Sequence, residues 1–417
     1  MRIIAFAVAA CMTASPLSAQ VSPPKDTFAA RLEQVRTSLQ VDDQGLHGPG
    51  ATVLADAIAN SRYVLLGEDH LSREIPQFTA GVCRLMVPGG LDSLAVEIGP
   101  EAAQVVNANL RRGDRVERLS EFLHNHPDAF AFQNGRDESD MAAACAKAAG
   151  PRFQIWGLDQ EFMGASGYLL EQMLAAKPGS KAKDAIEELA RIDRTATEKA
   201  LASGSAGDLL IYSVSDQQLA KIGRGIRQDG GSRVVALFDA LIETRAIYLG
   251  QNSDPFASNG RRARLMKRTL VHYLAKHPQP ARVLFKFGDA HMGKGINGLG
   301  QRDLGNFVAE RAEGEGVGSL HIAVYGAKGI HALYGGVGRQ ARNKPFVLTD
   351  YPSYAWLKDA LPSELQGTGK DWTVIDFRSM RSKMPADMDT TWQDVARRYD
   401  FVVVAPELTP SSLLGTR

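Results

Sequence analysis

Short apolar runs, each stopped by a glycine or a carboxylate, alternate along this chain with stretches of helical spacing. The sharpest run is Tyr63-Val-Leu-Leu66, which ends at Gly67 and is followed at once by Glu68, Asp69, His70 and Glu74. An unbroken apolar run before a glycine predicts a buried strand ending in a tight turn. Asp92-Ser-Leu-Ala-Val-Glu97 and Arg152-Phe-Gln-Ile-Trp-Gly-Leu-Asp159 predict two more strands, each delivering a carboxylate as it finishes. Arg282-Val-Leu-Phe-Lys-Phe-Gly-Asp-Ala-His291 repeats the first pattern: strand, glycine, two residues, histidine. Further strands are expected at 320–325, 346–349, 372–376 and 401–404.

Helical spacing marks residues 28–39, 52–59, 75–87, 101–112, 138–149, 303–312 and 354–360, while 45–50 and 123–135 read as loops. From Gln160 to His277 the strand pattern disappears. Helical periodicity runs there through 182–201, 208–224, 232–249 and 261–276, broken by glycine pairs. Strands alternating with helices imply an α/β fold with a mainly parallel sheet covered by helices on both faces. We expect a single domain over 20–417 with a duplicated strand-turn-helix motif and a helical insertion at about 160–278.

Composition narrows the function classes. Over 417 residues, 44% hydrophobic and 23% charged residues are globular values, and a net charge of +1 leaves no electrostatic footprint for nucleic acid or an anionic membrane. The partner expected is a small molecule or a peptide. The N-terminus pairs Arg2 with a short apolar stretch and Leu17-Ser18-Ala19, the pattern of a signal peptide over 1–19. The chain is therefore expected to be periplasmic or secreted. Val8-Ala9-Ala10-Cys11 also resembles a lipoprotein box, the alternative being lipidation of Cys11. No later stretch is apolar for long enough to span a bilayer. With the signal removed, Cys83 and Cys145 are the cysteines left, either as one bridge or as two buried thiols.

In a parallel sheet the carboxyl ends of the strands share one edge, so Glu68/His70, Glu97, Asp159 and Asp289/His291 are expected to converge. Each glycine turn sets an acid two residues before its histidine, Glu68 before His70 and Asp289 before His291, so each imidazole is expected to carry its own orienting carboxylate. Two chemistries fit. In one, His70 deprotonates water, Glu97 or Glu68 fixes its tautomer, and His291 stabilises the oxyanion or protonates the leaving group. In the other, His70, His291 and Glu97 bind a divalent metal that acidifies its bound water. Asp159 reads equally as a cap on the next helix. Arg73 and Glu74 read as a surface pair, and His124 and His126 as loop residues. His272, His277, His321 and His331 are assigned to structure or surface.

Taken in order, Gly67-Glu-Asp-His70, the Glu97 strand end, Gly157-Leu-Asp159 and Gly288-Asp-Ala-His291 resemble the superfamily of erythromycin esterases, ChaN-type haem-binding lipoproteins and Tiki/TraB proteins. The likeness covers about residues 60–310, and Arg261 to Met266 is similar to a helix of the esterase branch. It implies a site between the two Gly-x-x-His turns. The esterases are similar in a Gly-Glu turn, a second glutamate and a late histidine, and hydrolyse a macrolactone with an imidazole-activated water. They carry one more residue between Glu and His than Glu68-Asp69-His70 does. The spacing here is closer to the Tiki branch, implying a metal-dependent protease, and to the ChaN branch, implying haem binding in iron uptake. The helical insert is similar to the esterase branch. The leading expectation is a periplasmic hydrolase of an ester or amide. A haem- or metal-binding uptake protein, a Tiki-like metalloprotease and an inactive interaction module are the alternatives.

Overall fold

Among the described residues eleven strands organise the fold: β1 Arg36–Asp42, β2 Gly45–His47, β3 Tyr63–Glu68, β4 Ser93–Val96, β5 Gln154–Gly157, β6 Val283–Gly288, β7 Ser319–Gly326, β8 Lys328–Leu333, β9 Arg342–Val347, β10 Trp372–Asp376 and β11 Phe401–Ala405. The structure is a computed structural model that describes residues 26–358, 360–361 and 370–416. The signal peptide expected over 1–19, Cys11 and the leader 21–25 lie outside the described residues.

Nine strands form one sheet in the order β2-β1-β10-β11-β7-β3-β6-β4-β5. Neighbours from β11 to β5 run parallel, and β2, β1, β10 and β11 pair antiparallel at the other end. The alternation of side chains along β3 shows why it lies at the centre. Val64 and Leu66 face one core with Leu94, Val96 and Leu284, while Tyr63 and Leu65 face a second with Phe285 and Phe287. The mainly parallel sheet with both faces covered, read from the strand–helix alternation, is what the structure has.

The two glycine turns end up side by side. β3 and β6 are hydrogen-bonded neighbours, in register from Tyr63 with Val283 to Glu68 with Gly288. Between β5 and β6 the chain makes the helices Ser166–Ala175, Ser180–Ser203, Leu210–Ser213, Asp216–Asp229, Gly231–Ser253 and Pro255–Lys276. Most of them share a separate core around Leu170, Ile186, Ile222 and Phe238. The last helix instead lays Met266 and Leu270 on the sheet beside Phe285 and Trp156.

Several boundaries differ from expectation. The helix expected over 28–39 stops at Val35, because Leu39 is claimed by pairing with Trp372 and the segment becomes β1. The loop expected at 45–50 holds β2 and the start of the helix Pro49–Ala59. The loop expected at 123–135 begins inside the helix Arg115–Asn125, whose Leu119 and Leu123 are buried. The strand expected at 346–349 belongs to β9, which pairs with β8 in a separate two-stranded hairpin. The segment 354–360 forms a 3-10 turn, Pro352–Leu357, in place of an α-helix.

Cys83 and Cys145 form a disulfide, resolving the alternative the sequence left open, and it ties the helix Glu74–Met86 to the helix Arg136–Ala149. Among the described residues no helix is long and apolar enough to cross a membrane.

Candidate active site

Glu68 is the last residue of β3, and its side chain continues the alternation of Val64 and Leu66 towards one face of the sheet. Lys286, two positions before Gly288 on the neighbouring strand, emerges on the same face and pairs with Glu68. The helix Arg136–Ala149 adds Glu138, whose Oε1 lies 2.9 Å from Lys286 Nζ. All three are buried, and a buried ammonium holds only because two carboxylates compensate it. Burial, with Glu68 beside it, pushes the Glu138 carboxyl up to about 7 against the pull of Lys286. Burial also opposes the charge of Glu68, but Lys286 and His70 outweigh it and hold its carboxyl below the usual range.

His70 follows two residues after Glu68 and donates from Nδ1 to Glu68 Oε1 at 2.9 Å. Its Nε2 faces Glu97 Oε2 at 3.3 Å. Glu97 stands just past the end of β4 and is shared by four groups. Gly288 N–H donates to Oε2 at 2.7 Å, Arg262 Nη2 lies 2.6 Å from Oε1, and His291 Nε2 stands 3.6 Å from that same Oε1. The carboxylate therefore lies between the Nε2 atoms of the two imidazoles. Burial works against the charge on His70, yet Glu97 and Glu68 overcome it and push the imidazole up to about 10. His291 is raised as well, since Glu97 outweighs both burial and the repulsion of Arg262. Glu97 is buried, but His291, Arg262 and His70 hold it well below the usual carboxylate range.

The two glycines make this proximity possible. A Cβ on Gly67 would come 2.9 Å from Asp289 Cα, and one on Gly288 would come 2.9 Å from His70 Nε2. Each turn needs the other's glycine in order to approach it.

Two assignments from the sequence need correction. Asp289 does not orient His291: its Oδ2 accepts from Tyr325 at 3.0 Å and Tyr354 at 3.3 Å. His291 is oriented by Asp303, which accepts from Nδ1 at 2.9 Å and is fixed in turn by Asn297 at 3.1 Å. The cause is local. Glu68 ends a strand, so residues two apart point alike, whereas Asp289 begins the short helix Asp289–Met292, where residues two apart diverge. Asp159 does not act as a lone cap either. Arg262 grips its carboxylate through Nε, 3.0 Å from Oδ1, and through Nη2, so Asp159 anchors the guanidinium that reaches Glu97.

The same contacts test the metal reading. A metal on His70, His291 and Glu97 would need ring nitrogens and carboxylate oxygens turned towards a common point with room for an ion. Here both Nδ1 atoms are committed to carboxylates, and both oxygens of Glu97 are taken by Arg262 and Gly288. Among the described residues no three His, Cys, Asp or Glu side chains form a group that could hold a metal ion. Arg262 and Lys286 already supply the positive charge an ion would bring, and the donor set does not fit one.

An apolar cavity of about 410 Å³ opens on His70, walled by Leu123, Phe130, Phe132, Phe162, Met163 and the hairpin residues Leu333 and Tyr334. A second, of about 310 Å³, lies on the Glu97 and Arg262 side and shares the Phe130 and Phe132 wall. A third, of about 360 Å³, lies beside Asp289. His331, assigned to structure or surface from the sequence, lines the first and third cavities and pairs with Asp69 at 2.8 Å. His124 is exposed on the last turn of its helix, and His126 packs on Phe122 and Tyr168 and faces Glu171 at 3.4 Å. Neither lines the three cavities. Glu74 accepts from Thr409 N–H at 2.8 Å, tying down the C-terminal segment, and Arg73 faces Asp137 at 3.7 Å.

Arg262, Lys286, Glu138, Asp303, Phe132 and His331 went unassigned to the site in the sequence. One signal was available. Lys286 interrupts Val-Leu-Phe-Lys-Phe, and a lysine inside a buried strand demands a partner.

No protein-family model and no curated protein matches the sequence. Solved structures do match in fold. A mutant of the erythromycin esterase EreC in its open conformation aligns with a TM-score of 0.63 at 15% identity, over 91% of this chain and 99% of that one. A succinoglycan biosynthesis protein aligns at 0.57 and 14%, over 92% and 97%. A protein from Bacillus cereus aligns at 0.56 and 13%, over 92% and 98%. At such identities the likeness is one of fold: this chain has the erythromycin esterase-like fold.

Proposed function

We propose that this chain, with its erythromycin esterase-like fold, is a secreted hydrolase that cleaves an ester in a largely apolar small molecule. The observation that carries the reading is Glu97 lying between the Nε2 atoms of His70 and His291, with His70 itself lining the apolar cavity. His70 in its neutral form takes a proton from water at Nε2. Glu68 on Nδ1 holds the tautomer with the lone pair on Nε2, and Glu97, 3.3 Å from that Nε2, stabilises the imidazolium as it forms. His291, tethered by Asp303 and kept protonated by Glu97, donates from Nε2 to the oxyanion or to the departing alcohol. Arg262 and Lys286 keep Glu97 and Glu68 ionised. The apolar cavity wall suits the bulk of such a substrate better than a peptide backbone, whose amides would go unpaired there.

Secretion is supported by the N-terminal pattern and by the Cys83–Cys145 disulfide, which persists in an oxidising compartment. The test is a panel of apolar esters assayed with the mature protein and its His70→Ala variant, with circular dichroism to confirm that both are folded. Hydrolysis should be lost in the variant by at least about a thousandfold. Undiminished turnover of a confirmed substrate would overturn the proposal.

A further inference from the structure

We propose that the β8–β9 hairpin is a docking surface for a lipid bilayer with anionic headgroups, holding the rim of the apolar cavity against the membrane. The hairpin stands outside the nine-stranded sheet. Its segment, Lys328 to Val347, carries Lys328, Arg339, Arg342 and Lys344 and not one Asp or Glu. A net charge of +1 over the whole chain averages this concentration away. Arg339 and Arg342 donate to the backbone carbonyls of Ala202 and Tyr334, and among the described residues neither they nor Lys344 has a carboxylate partner. The acids that do touch the hairpin are already engaged. Asp69 pairs with His331, and Asp128 Oδ2 accepts from the Tyr334 hydroxyl at 2.9 Å and from Gly338 N–H at 3.4 Å.

The apolar side chains form the second half of the argument. Leu333, Tyr334, Val347 and Tyr351 are four of the seven large hydrophobic residues exposed among the described residues, and all lie on this hairpin, in its loop or just past its end. Such a concentration marks an interaction surface. The Tyr334 hydroxyl is spent on Asp128, so what that residue offers a partner is chiefly its ring. Leu333 and Tyr334 also line the cavity of about 410 Å³ while remaining exposed, which places them on its rim. Register sets Arg342 opposite Leu333 and Lys344 opposite His331, so both cations share the face of the hairpin that borders the cavity. Exposed apolar groups among cations without acids suit a membrane surface: the apolar groups enter the boundary below the headgroups while Lys and Arg meet lipid phosphates. The rim position decides between a bilayer and a protein partner. A protein seated there would cover the cavity, whereas a bilayer can deliver an amphiphile into it. Docking stands independently of the hydrolase reading; that the cavity draws its ester from the bilayer rests on it.

The experiment is flotation of the mature protein with vesicles of phosphatidylcholine, alone or with about a third phosphatidylglycerol. Binding should be at least about tenfold stronger on the anionic vesicles at low salt and fall steeply as salt screens the surface. Arg342→Glu combined with Lys344→Glu should lose that preference. Val347→Ser combined with Tyr351→Ser should weaken binding about tenfold by removing apolar surface. All four positions are exposed, so both variants should fold, which circular dichroism checks. Hydrolysis of p-nitrophenyl butyrate in solution should be unchanged by the charge reversal, while hydrolysis of p-nitrophenyl palmitate carried in anionic vesicles should fall about tenfold. No binding of the mature protein to anionic vesicles would overturn the docking surface, and ester hydrolysis in solution would then leave the hydrolase reading standing. Binding that the charge reversal leaves intact would overturn it as well. A dimer in size exclusion that the charge reversal dissociates, without vesicle binding, would overturn it in favour of a second copy of the chain. Vesicle binding that depends on these residues, with no ester cleaved, would support the docking surface and count against the hydrolase.

Discussion

The Phe132 ring lies flat on the His70 imidazole, with centroids 3.8 Å apart and planes 16° apart. Phe132 has a φ of 58° and Leu71, next to His70 in the chain, a φ of 63°. Left-handed backbone at two side-chain-bearing residues costs about 1 kcal/mol or more each, so the strain is concentrated around the proposed base. Phe132→Gly should relieve part of that strain while removing the ring. Stability should then change by less than about 2 kcal/mol, while kcat falls about tenfold or more because His70 loses the surface that fixes its plane. Phe132→Tyr should keep most of the activity. Thermal melts and steady-state kinetics on both variants check this; a fully active Phe132→Gly would show that the stacking does nothing for catalysis.

His70 is held as an imidazolium up to about pH 10, whereas the proposed base is its neutral form. The logarithm of kcat/KM should therefore climb with a slope of about one per pH unit through neutrality and turn over in the alkaline range, because the rise in pH that frees His70 also takes the proton His291 must donate. The stability linkage has the opposite sense. A histidine raised above its ordinary value of 6.5 stabilises the fold fully below that value, and the contribution is lost as pH rises through about 10. Activity and stability should pull apart in alkaline buffer. A bell-shaped rate profile centred below pH 7, on a protein that stays folded, would contradict the base assignment.

Glu97 sets the charge of both imidazoles, so Glu97→Gln should lower the apparent pKa of each towards the ordinary histidine range. Imidazole proton shifts in NMR, followed against pH, would show this directly. Activity should fall at least about a hundredfold, because the forming imidazolium loses its counter-charge. The fold should lose about 3 kcal/mol, since Arg262 keeps only Asp159 to offset a largely buried positive charge. Histidine titrations indistinguishable from wild type would mean that Glu97 does not control the pair.

Three buried acids give a second pH signature. Burial, more than any neighbour, pushes Glu161 up to about 8 and Glu138 and Asp193 up to about 7. A carboxyl raised in the folded state contributes stability below its unfolded value, and that contribution disappears as pH rises through the folded value. Melting temperature should accordingly decline between about pH 5 and pH 8. Glu161 is the cleanest test because it accepts from the N–H groups of Glu101, at 2.8 Å, and Ala102, at 3.3 Å, and touches neither proposed catalytic histidine. Glu161→Gln should flatten the decline at its upper end. Parallel melting curves for variant and wild type across that range would rule out a raised Glu161.

The proposed site was partly legible because strand ends in a parallel sheet must meet. Glu68, His70, Glu97 and His291 could be placed together from that rule alone. Asp289 was misassigned because its offset from His291 copies that of Glu68 from His70, while the backbone turns helical at Asp289 itself, straight after Gly288. Arg262 was out of reach for another reason. It lies 165 residues from Glu97 on the last helix of the insert, and only the packing of Met266 and Leu270 onto the sheet aims it inward. Phe132 was hidden in a segment with no regular period. The edge where β1 and β2 join the sheet was missed because a helix-like spacing at 28–39 competes with pairing to β10, which is decided by residues far along the chain.

The Cys83–Cys145 bridge fastens the helix that follows the His70 turn to the helix that presents Glu138 to Lys286. It closes a separation of 62 residues, which removes about 4 kcal/mol worth of freedom from the unfolded chain. Reduction, or Cys83→Ser with Cys145→Ser, should lower the melting temperature by several degrees. Catalysis at room temperature should survive, because Lys286 still joins Glu68 at the end of β3 to Glu138 on the second of these helices. Alkylation of the unreduced protein followed by mass spectrometry should find both cysteines blocked, and melting with and without reductant supplies the energetic readout. Two free thiols in protein recovered from its native compartment, together with a melt indifferent to reductant, would remove the bridge and with it one of the two supports for secretion.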